Sequence, residues 1–150
     1  MDSYKKDFKE SNVKLNEFQD LFENIFIYMK KQEDFFPKTP YNLSDSHILI
    51  LTYLNRVENC TVSDITKYLG ITSGGGTVLT SNLLKHNLIN RFRSEKDRRV
   101  VLLSLTNEGK EIVNQIINKR SETFIELLKN LEEAEIDQIL NIFRKLSDNI

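Results

Sequence analysis

The fold is decided by residues 89–105, which read INRFRSEKDRRVVLLSL. Two short runs suited to β-strands, Ile89 to Arg93 and Val100 to Leu105, flank a polar turn from Ser94 to Arg99. Every second residue of the later run can face the same side of a sheet. The stretch therefore predicts a β-hairpin.

The sequence just before the hairpin predicts two short helices joined by a tight turn. Thr61 opens a capping box, and Gly70 suits the left-handed C-cap of a helix over Val62 to Leu69. Thr72 is expected to cap the next helix, which runs to about His86. Two such helices form a helix-turn-helix, and a hairpin directly after them makes a winged helix.

Longer helices are predicted on both sides of this module. Apolar residues recur every three or four positions over residues 8–33, and the prolines within residues 37–40 should end that helix. Further helices are predicted from Ser44 to about Val57, from Thr106 to about Asn130, and from Glu132 onwards. The fold class is therefore mainly α: a winged helix-turn-helix with a small β-hairpin wing, flanked by long N- and C-terminal dimerisation helices.

The apolar stripes of the terminal helices need a surface to cover them. An intramolecular core is the alternative for any one stripe, but the central module has its own core. We therefore expect an intersubunit helical bundle and a homodimer. The predicted division is dimerisation helices at 1–36 and 107–150 around a winged-helix lobe at 43–106.

Charge is unevenly distributed along the 150 residues, although the net charge is only −1. Residues 85–106 carry six basic and two acidic side chains, net +4, whereas residues 1–36 and 107–150 are net −2 and −3. A solvated loop would explain a basic block. Its position on the hairpin instead favours a phosphate-binding patch, with the acidic helices held away from it.

Other classes of protein find little support in the composition. The single cysteine, Cys60, excludes an internal disulfide and is expected to be a half-buried structural thiol. His47 and His86 have no carboxylate cluster beside them, so neither a metal site nor any cofactor is expected. No catalytic motif appears, so an enzyme is not expected. No apolar run approaches the roughly 20 residues of a membrane span, and no signal core follows the N-terminus. A cytoplasmic protein without membrane contact is expected.

The wing sequence resembles that of the MarR family of bacterial transcriptional regulators. That family's wing carries Asp-x-Arg, a short apolar strand and then Leu-Thr-x-x-Gly, which match Asp97, Arg99, Leu105-Thr106 and Gly109. Residues 72–89 align without gaps to the family's recognition helix and the strand after it. The match is concentrated in residues 61–109, and elsewhere it depends on the helix pattern alone.

The resemblance implies a homodimer whose two recognition helices enter successive major grooves of a pseudo-palindromic operator in double-stranded DNA. Arg99 is implied to reach the minor groove, with Asp97 orienting it, and Arg98 to contact a phosphate or a groove. Lys85, Arg93 and Lys96 are expected on backbone phosphates. Bases are expected to be read by Ser73, Thr77, Val78 (on a thymine methyl), Ser81 and Asn82.

Two features of the recognition helix depart from the family. Gly74, Gly75 and Gly76 cost helix stability, up to about 1 kcal/mol each relative to alanine. They either let backbone N–H groups approach a DNA phosphate or leave a frayed first turn, and the sequence leaves both readings open. Val78 stands where many relatives carry arginine.

The expected function is a sequence-specific DNA-binding transcriptional regulator, a repressor relieved by a small ligand. In the family, small lipophilic or phenolic effectors bind between the dimerisation helices and the lobe. The aromatic residues between positions 26 and 41 could line such a site or belong to the core. The alternative function is a winged-helix protein-interaction module without DNA binding. The missing arginine at Val78 supports that alternative, and the wing arginines oppose it.

Overall fold

The computed structural model describes residues 12–150 and confirms a mainly helical fold with one small antiparallel sheet. The start of the first predicted helix, residues 8–11, lies outside the described residues. The elements in chain order are α1 (Asn12–Lys31), α2 (Asp45–Val57), β1 (Asn59–Cys60), α3 (Val62–Leu69), α4 (Ser73–Lys85), β2 (Ile89–Arg93), β3 (Val101–Leu105), α5 (Asn107–Leu128) and α6 (Glu133–Ser147).

Local capping contacts determine where α3 begins and ends and where α4 begins. The Thr61 hydroxyl accepts the Asp64 backbone N–H at 3.1 Å, and the Asp64 carboxylate accepts the Thr61 N–H at 2.8 Å. Gly70 ends α3 in the left-handed conformation with φ 64°. Two residues later the Thr72 hydroxyl accepts the Gly75 N–H at 3.1 Å and begins α4. The helix-turn-helix is therefore confirmed with the boundaries that its capping residues predict.

The sheet has the strand order β1-β3-β2, with both neighbouring pairs antiparallel. The predicted hairpin is confirmed, with Ile89 opposite Leu105. Strand β1 was not predicted, because two residues are too short to show an alternating pattern. It pairs Cys60 with Leu103, and so ties the hairpin to the start of α3.

The lobe has one hydrophobic core, formed by α2, α3, α4, the sheet and the first half of α5. Its most deeply buried side chains are Ile48, Ile50, Leu51, Leu54, Ile65, Leu83, Leu88, Ile89, Leu103, Val113 and Ile116. The start of α5 lies close to the loop before β2, since a Cβ at Gly109 would overlap the Leu88 carbonyl oxygen. Glycine at this position therefore lets α5 approach the lobe.

The outer helices expose large apolar side chains. Neither α1 nor α6 contains a buried residue. On α1 the exposed set includes Phe18, Leu21, Phe22, Ile25 and Phe26, and on α6 it includes Leu140, Ile142, Phe143 and Leu146. Contiguous exposed apolar surface of this kind marks an interaction face. None of the helices in residues 12–150 has the length and apolarity needed to cross a membrane.

Candidate nucleic-acid interface

Helix α4, the predicted recognition helix, has one buried and one accessible face. Gly76, Thr80 and Leu83 are buried against the lobe. The predicted DNA-binding residues of the helix lie on the other side: Ser73, Gly74, Thr77, Val78, Ser81 and Lys85 are exposed, and Gly75 and Asn82 are partly exposed. The spacing of three and four residues puts the exposed set on one face. The folded lobe therefore leaves every predicted contact of this helix accessible.

The three consecutive glycines of α4 have different surroundings. A Cβ at Gly76 would overlap the Thr66 side chain of α3, whereas a Cβ at Gly74 would have no atom within 4 Å. Gly76 is therefore required by the close packing of the two helices, a reason that the sequence did not reveal. Gly74 faces open space, so packing within the described residues does not explain it.

Two of the four hydroxyl groups on α4 are hydrogen-bonded within the helix itself. The Thr77 hydroxyl donates to the Ser73 carbonyl at 3.0 Å, and the buried Thr80 hydroxyl donates to the Gly76 carbonyl at 2.9 Å. The only charged side chain of the helix is Lys85, its last residue. The accessible face is therefore largely uncharged from Ser73 to Asn82.

The wing presents an arginine held by a neighbouring aspartate. The Asp97 carboxylate accepts three hydrogen bonds from Arg99: from the backbone N–H at 3.0 Å, and from Nε and Nη2 at 3.1 Å each. These bonds, the side-chain ones first, lower the pKa of Asp97, and they raise the pKa of Arg99. Both groups therefore stay ionised at neutral pH, while the Arg99 side chain remains 91% exposed.

Three further basic side chains of the wing, Arg93, Lys96 and Arg98, lie in or beside the same turn. The Ser94 N–H donates to the Val100 carbonyl at 2.9 Å and closes the turn. The Val100 N–H donates to the Asp97 carbonyl within the turn at 2.9 Å and not across the hairpin, so β3 begins at Val101 instead of Val100. Arg93 donates through Nη1 to the Arg98 carbonyl at 2.8 Å. The side chains of Lys96 and Arg98 are exposed and make no hydrogen bond or ion pair within residues 12–150. The wing thus offers several accessible cations.

Cys60, which was expected to be a half-buried structural thiol, lies fully within the core of the lobe. Cys60 is 4% exposed, more deeply buried than predicted, because β1 joins the sheet. Burial first, and then the charge of Asp64, raise the pKa of its thiol to about 11.

His47 receives the Ser44 backbone N–H on Nδ1 at 3.1 Å. Burial and the nearby His86 lower the pKa of His47. No three potential metal-ligating side chains come together in the described part of the chain.

Arg120 makes a long-range contact that sequence reasoning missed. Its Nε donates to the Phe35 carbonyl at 2.7 Å, and its guanidinium lies 4.7 Å from the centre of the Phe35 ring. Phe35 also packs edge-on against Phe124 of α5. The segment after α1 is therefore attached to the middle of α5. Arg120 Nη2 is buried without a hydrogen-bond partner in residues 12–150.

Comparison with known proteins supports the same fold. The HTH-type transcriptional repressor MdtR of Bacillus subtilis is 29% identical over 137 residues, which cover 91% of this chain and 84% of that protein. A MarR family protein from Bacillus stearothermophilus, 20% identical, superimposes with a TM-score of 0.79 over 93% of this chain and 96% of its own.

A third relative has been solved with nucleic acid. It is a point mutant of S. aureus MepR bound to an oligodeoxyribonucleotide, 26% identical, with a TM-score of 0.61 over 89% of this chain and 98% of its own.

A family model that matches more than half of the chain identifies the family to which the protein belongs. Residues 36–116, from within the segment after α1 to the first half of α5, match the family described as "Transcriptional regulator SarA/Rot". The resemblance to MarR-type regulators seen in the wing sequence is confirmed by the curated relatives and the solved structures. The chain therefore belongs to the SarA/Rot family of DNA-binding transcriptional regulators and has the MarR-type winged-helix fold.

Proposed function

We propose that the protein is a repressor that binds a pseudo-palindromic operator in double-stranded DNA as a homodimer. The observation that carries the proposal is the Asp97–Arg99 pair, which holds a charged guanidinium outward at the tip of the wing. An accessible α4 supplies an element of the right size for the major groove. In this proposal the protein binds operator DNA in the cytoplasm and catalyses no reaction.

The predicted contacts divide into readers of bases and binders of phosphate. We assign base edges to Ser73, Thr77, Val78, Ser81 and Asn82 of α4, and phosphates to Lys85, Arg93 and Lys96. Arg99 is assigned to the minor groove and Arg98 to a phosphate or a groove. Phosphate contacts position a protein without reading sequence, so these two sets predict different effects of mutation.

The glycines at the start of α4 are also assigned to the DNA interface. Thr72 caps the Gly75 N–H, and the Gly76 N–H donates to the Thr72 carbonyl at 2.9 Å. The N–H groups of Ser73 and Gly74 make no hydrogen bond within residues 12–150. N–H groups at a helix N-terminus favour anions. We assign Gly74 and Gly75 to close approach of the backbone to a DNA phosphate or base.

The exposed apolar faces of the outer helices supply the dimer contact in this proposal. We assign residues 1–36 and 107–150 to dimerisation and residues 43–106 to the DNA-binding lobe. Ile112, Val113 and Ile116 of α5 also belong to the lobe core. A change in the bundle could therefore be transmitted to the lobe through α5.

Relief by a small lipophilic or phenolic ligand completes the proposal. Arg120 supports it, because a buried Nη2 without a partner could donate to an oxygen of such a ligand. The aromatic rings of Phe35 and Phe124 lie beside it. A ligand that prefers a lobe spacing unsuited to the operator would lower DNA affinity by population shift.

Selection of bound duplexes from a random DNA pool tests the proposal. A repressor should enrich one pseudo-palindrome, with half-sites roughly 34–36 Å apart. Failure to enrich any duplex would contradict it and favour the interaction module without DNA binding. The exposed cations of the wing argue against that alternative.

A further inference from the structure

The recognition helix presents a branched apolar side chain to solvent. Val78 is 69% exposed at the middle of the accessible face of α4. No charged side chain accompanies it before Lys85, and the Thr77 hydroxyl beside it donates its proton to the Ser73 carbonyl. Exposure of this degree brings no benefit to the folded lobe, since a side chain in water contributes little to a core.

A shallow hollow lies next to Val78 on the outer surface. It has a volume of about 590 Å³, and its apolar wall is formed by Ile71, Val78 and Leu79. Thr72 and the backbone of Gly70, Gly74 and Gly75 line the rest of it. The hollow is continuous with the face of α4 that we assign to DNA, and its lining carries no charge.

Gly74 borders this hollow without a side chain. It lies four residues before Val78 and therefore on the same face of the helix. A Cβ at Gly74 would meet no protein atom within 4 Å, and alanine is the better helix former. In contrast to Gly76, which α3 requires, Gly74 has no role in packing that would explain its missing side chain. The missing side chain instead leaves room for an external group.

The chemistry of the major groove identifies that group. The C5-methyl of thymine is the only apolar group that the four bases of DNA present there. We propose that Val78 and the hollow above Gly74 receive a thymine methyl, so that each operator half-site requires thymine at one defined position. The inference rests on the proposed function, in which α4 enters the major groove.

Replacing thymine by deoxyuridine tests the inference, because this change removes only the methyl group. The probes are duplexes carrying the pseudo-palindrome selected by the wild-type protein, with each thymine replaced in turn. At one position per half-site the wild type should lose about fourfold in affinity for one methyl, and about 15-fold when both half-sites are changed. Val78→Ala should bind the thymine duplex more weakly and should no longer distinguish it from the deoxyuridine duplex at that position.

Gly74→Ala provides a variant that is expected to fold. It should raise the melting temperature, because alanine favours the helix, yet weaken binding to the thymine duplex by taking up space beside Val78. If no deoxyuridine replacement changes the affinity of a tightly binding wild type, the inference is wrong and the proposed function stands. If the wild type discriminates but Val78→Ala discriminates equally, Val78 is not the reader. If no duplex is bound, both fail together.

Discussion

Asp97 holds Arg99 along one edge of its guanidinium, with Nε and Nη2 each 3.1 Å from a carboxylate oxygen. The two residues are only two positions apart at the tip of the wing, and the Arg99 side chain is 91% exposed. A paired contact of this kind fixes the direction of a long side chain before any ligand arrives. Less conformational entropy is then lost on binding. The pair therefore contributes orientation more than stability.

Replacing Arg99 by alanine should weaken DNA binding and reduce its dependence on salt. A cation in the minor groove also displaces counterions from the DNA, so its loss should lower the slope of log affinity against log salt by up to about 1. Fluorescence anisotropy titrations at two or more salt concentrations measure both effects. Arg99→Lys is the matched control, since it keeps the charge and the slope but loses the paired contact with Asp97. Unchanged affinity of the alanine variant at every salt concentration would contradict the assigned role.

Gly76→Ala should destabilise the lobe by pushing α4 away from α3. The new Cβ would overlap the Thr66 side chain, and overpacking of this kind costs about 1–3 kcal/mol in the free energy of unfolding. Thr66→Ser should partly restore stability in the double variant, because it removes the methyl but keeps the hydroxyl that donates to the Ser63 carbonyl at 2.9 Å. Urea unfolding of the two single variants and the double variant measures the coupling. Purely additive effects would show that the overlap is not the cause.

The sequence was most informative where the determining contact is local. Thr61 with Asp64, Thr72 with Gly75, and Asp97 with Arg99 lie two or three residues apart. Their side chains contact backbone or partner groups of the same turn. The two capping contacts are specified by residue type and spacing, whereas the Asp97–Arg99 pair was implied by the resemblance to the MarR family. The boundaries of the helix-turn-helix and the shape of the wing could therefore be predicted.

Contacts between distant residues were the ones that the sequence did not reveal. Strand β1 exists because Cys60 pairs with Leu103, and two residues carry no period of their own. The link from Arg120 to Phe35 joins residues 85 positions apart. These features depend on how the helices are placed in space. The local sequence pattern contains no information about that placement.

Cys60 should resist thiol reagents in the folded protein. With a pKa of about 11, only about one thiol in a thousand is ionised at pH 8, and the thiolate is the reactive form. The side chain is also buried. Labelling with iodoacetamide, followed by mass spectrometry, should be slow in buffer and fast in denaturant. Rapid labelling without denaturant would show that β1 opens readily.

His47 should make the stability of the protein fall as the pH decreases below neutrality. Burial, followed by the effect of His86, lowers its pKa in the folded state. The unfolded chain therefore binds a proton near pH 6.5 while the folded one does not, and stability is lost between that pH and the lower folded pKa. Thermal unfolding across pH 7.5 to 5 measures the effect. His47→Gln should reduce the slope, since glutamine at this position can still accept the Ser44 N–H. An identical slope in that variant would assign the pH dependence to other groups.

Phe22→Glu should dissociate the proposed homodimer without unfolding the lobe. Phe22 is 60% exposed within α1, a helix with no buried residue, so the described chain does not use it as core. A carboxylate at this position would be buried without a partner in an apolar interface, which is strongly unfavourable. Sedimentation equilibrium should show a dimer for the wild type and a monomer for the variant, with unchanged far-UV circular dichroism.

Asn24→Glu is the control for the dimer prediction, because it adds the same charge to the same helix at an exposed polar position outside the apolar stripe. It should remain dimeric. The operator gives a second measurement: a monomer loses the simultaneous contact with two half-sites, so Phe22→Glu should bind the full pseudo-palindrome little better than a single half-site. A wild type that is monomeric at micromolar concentration, or a Phe22→Glu variant that stays dimeric, would exclude the face of α1 around Phe22 from the interface.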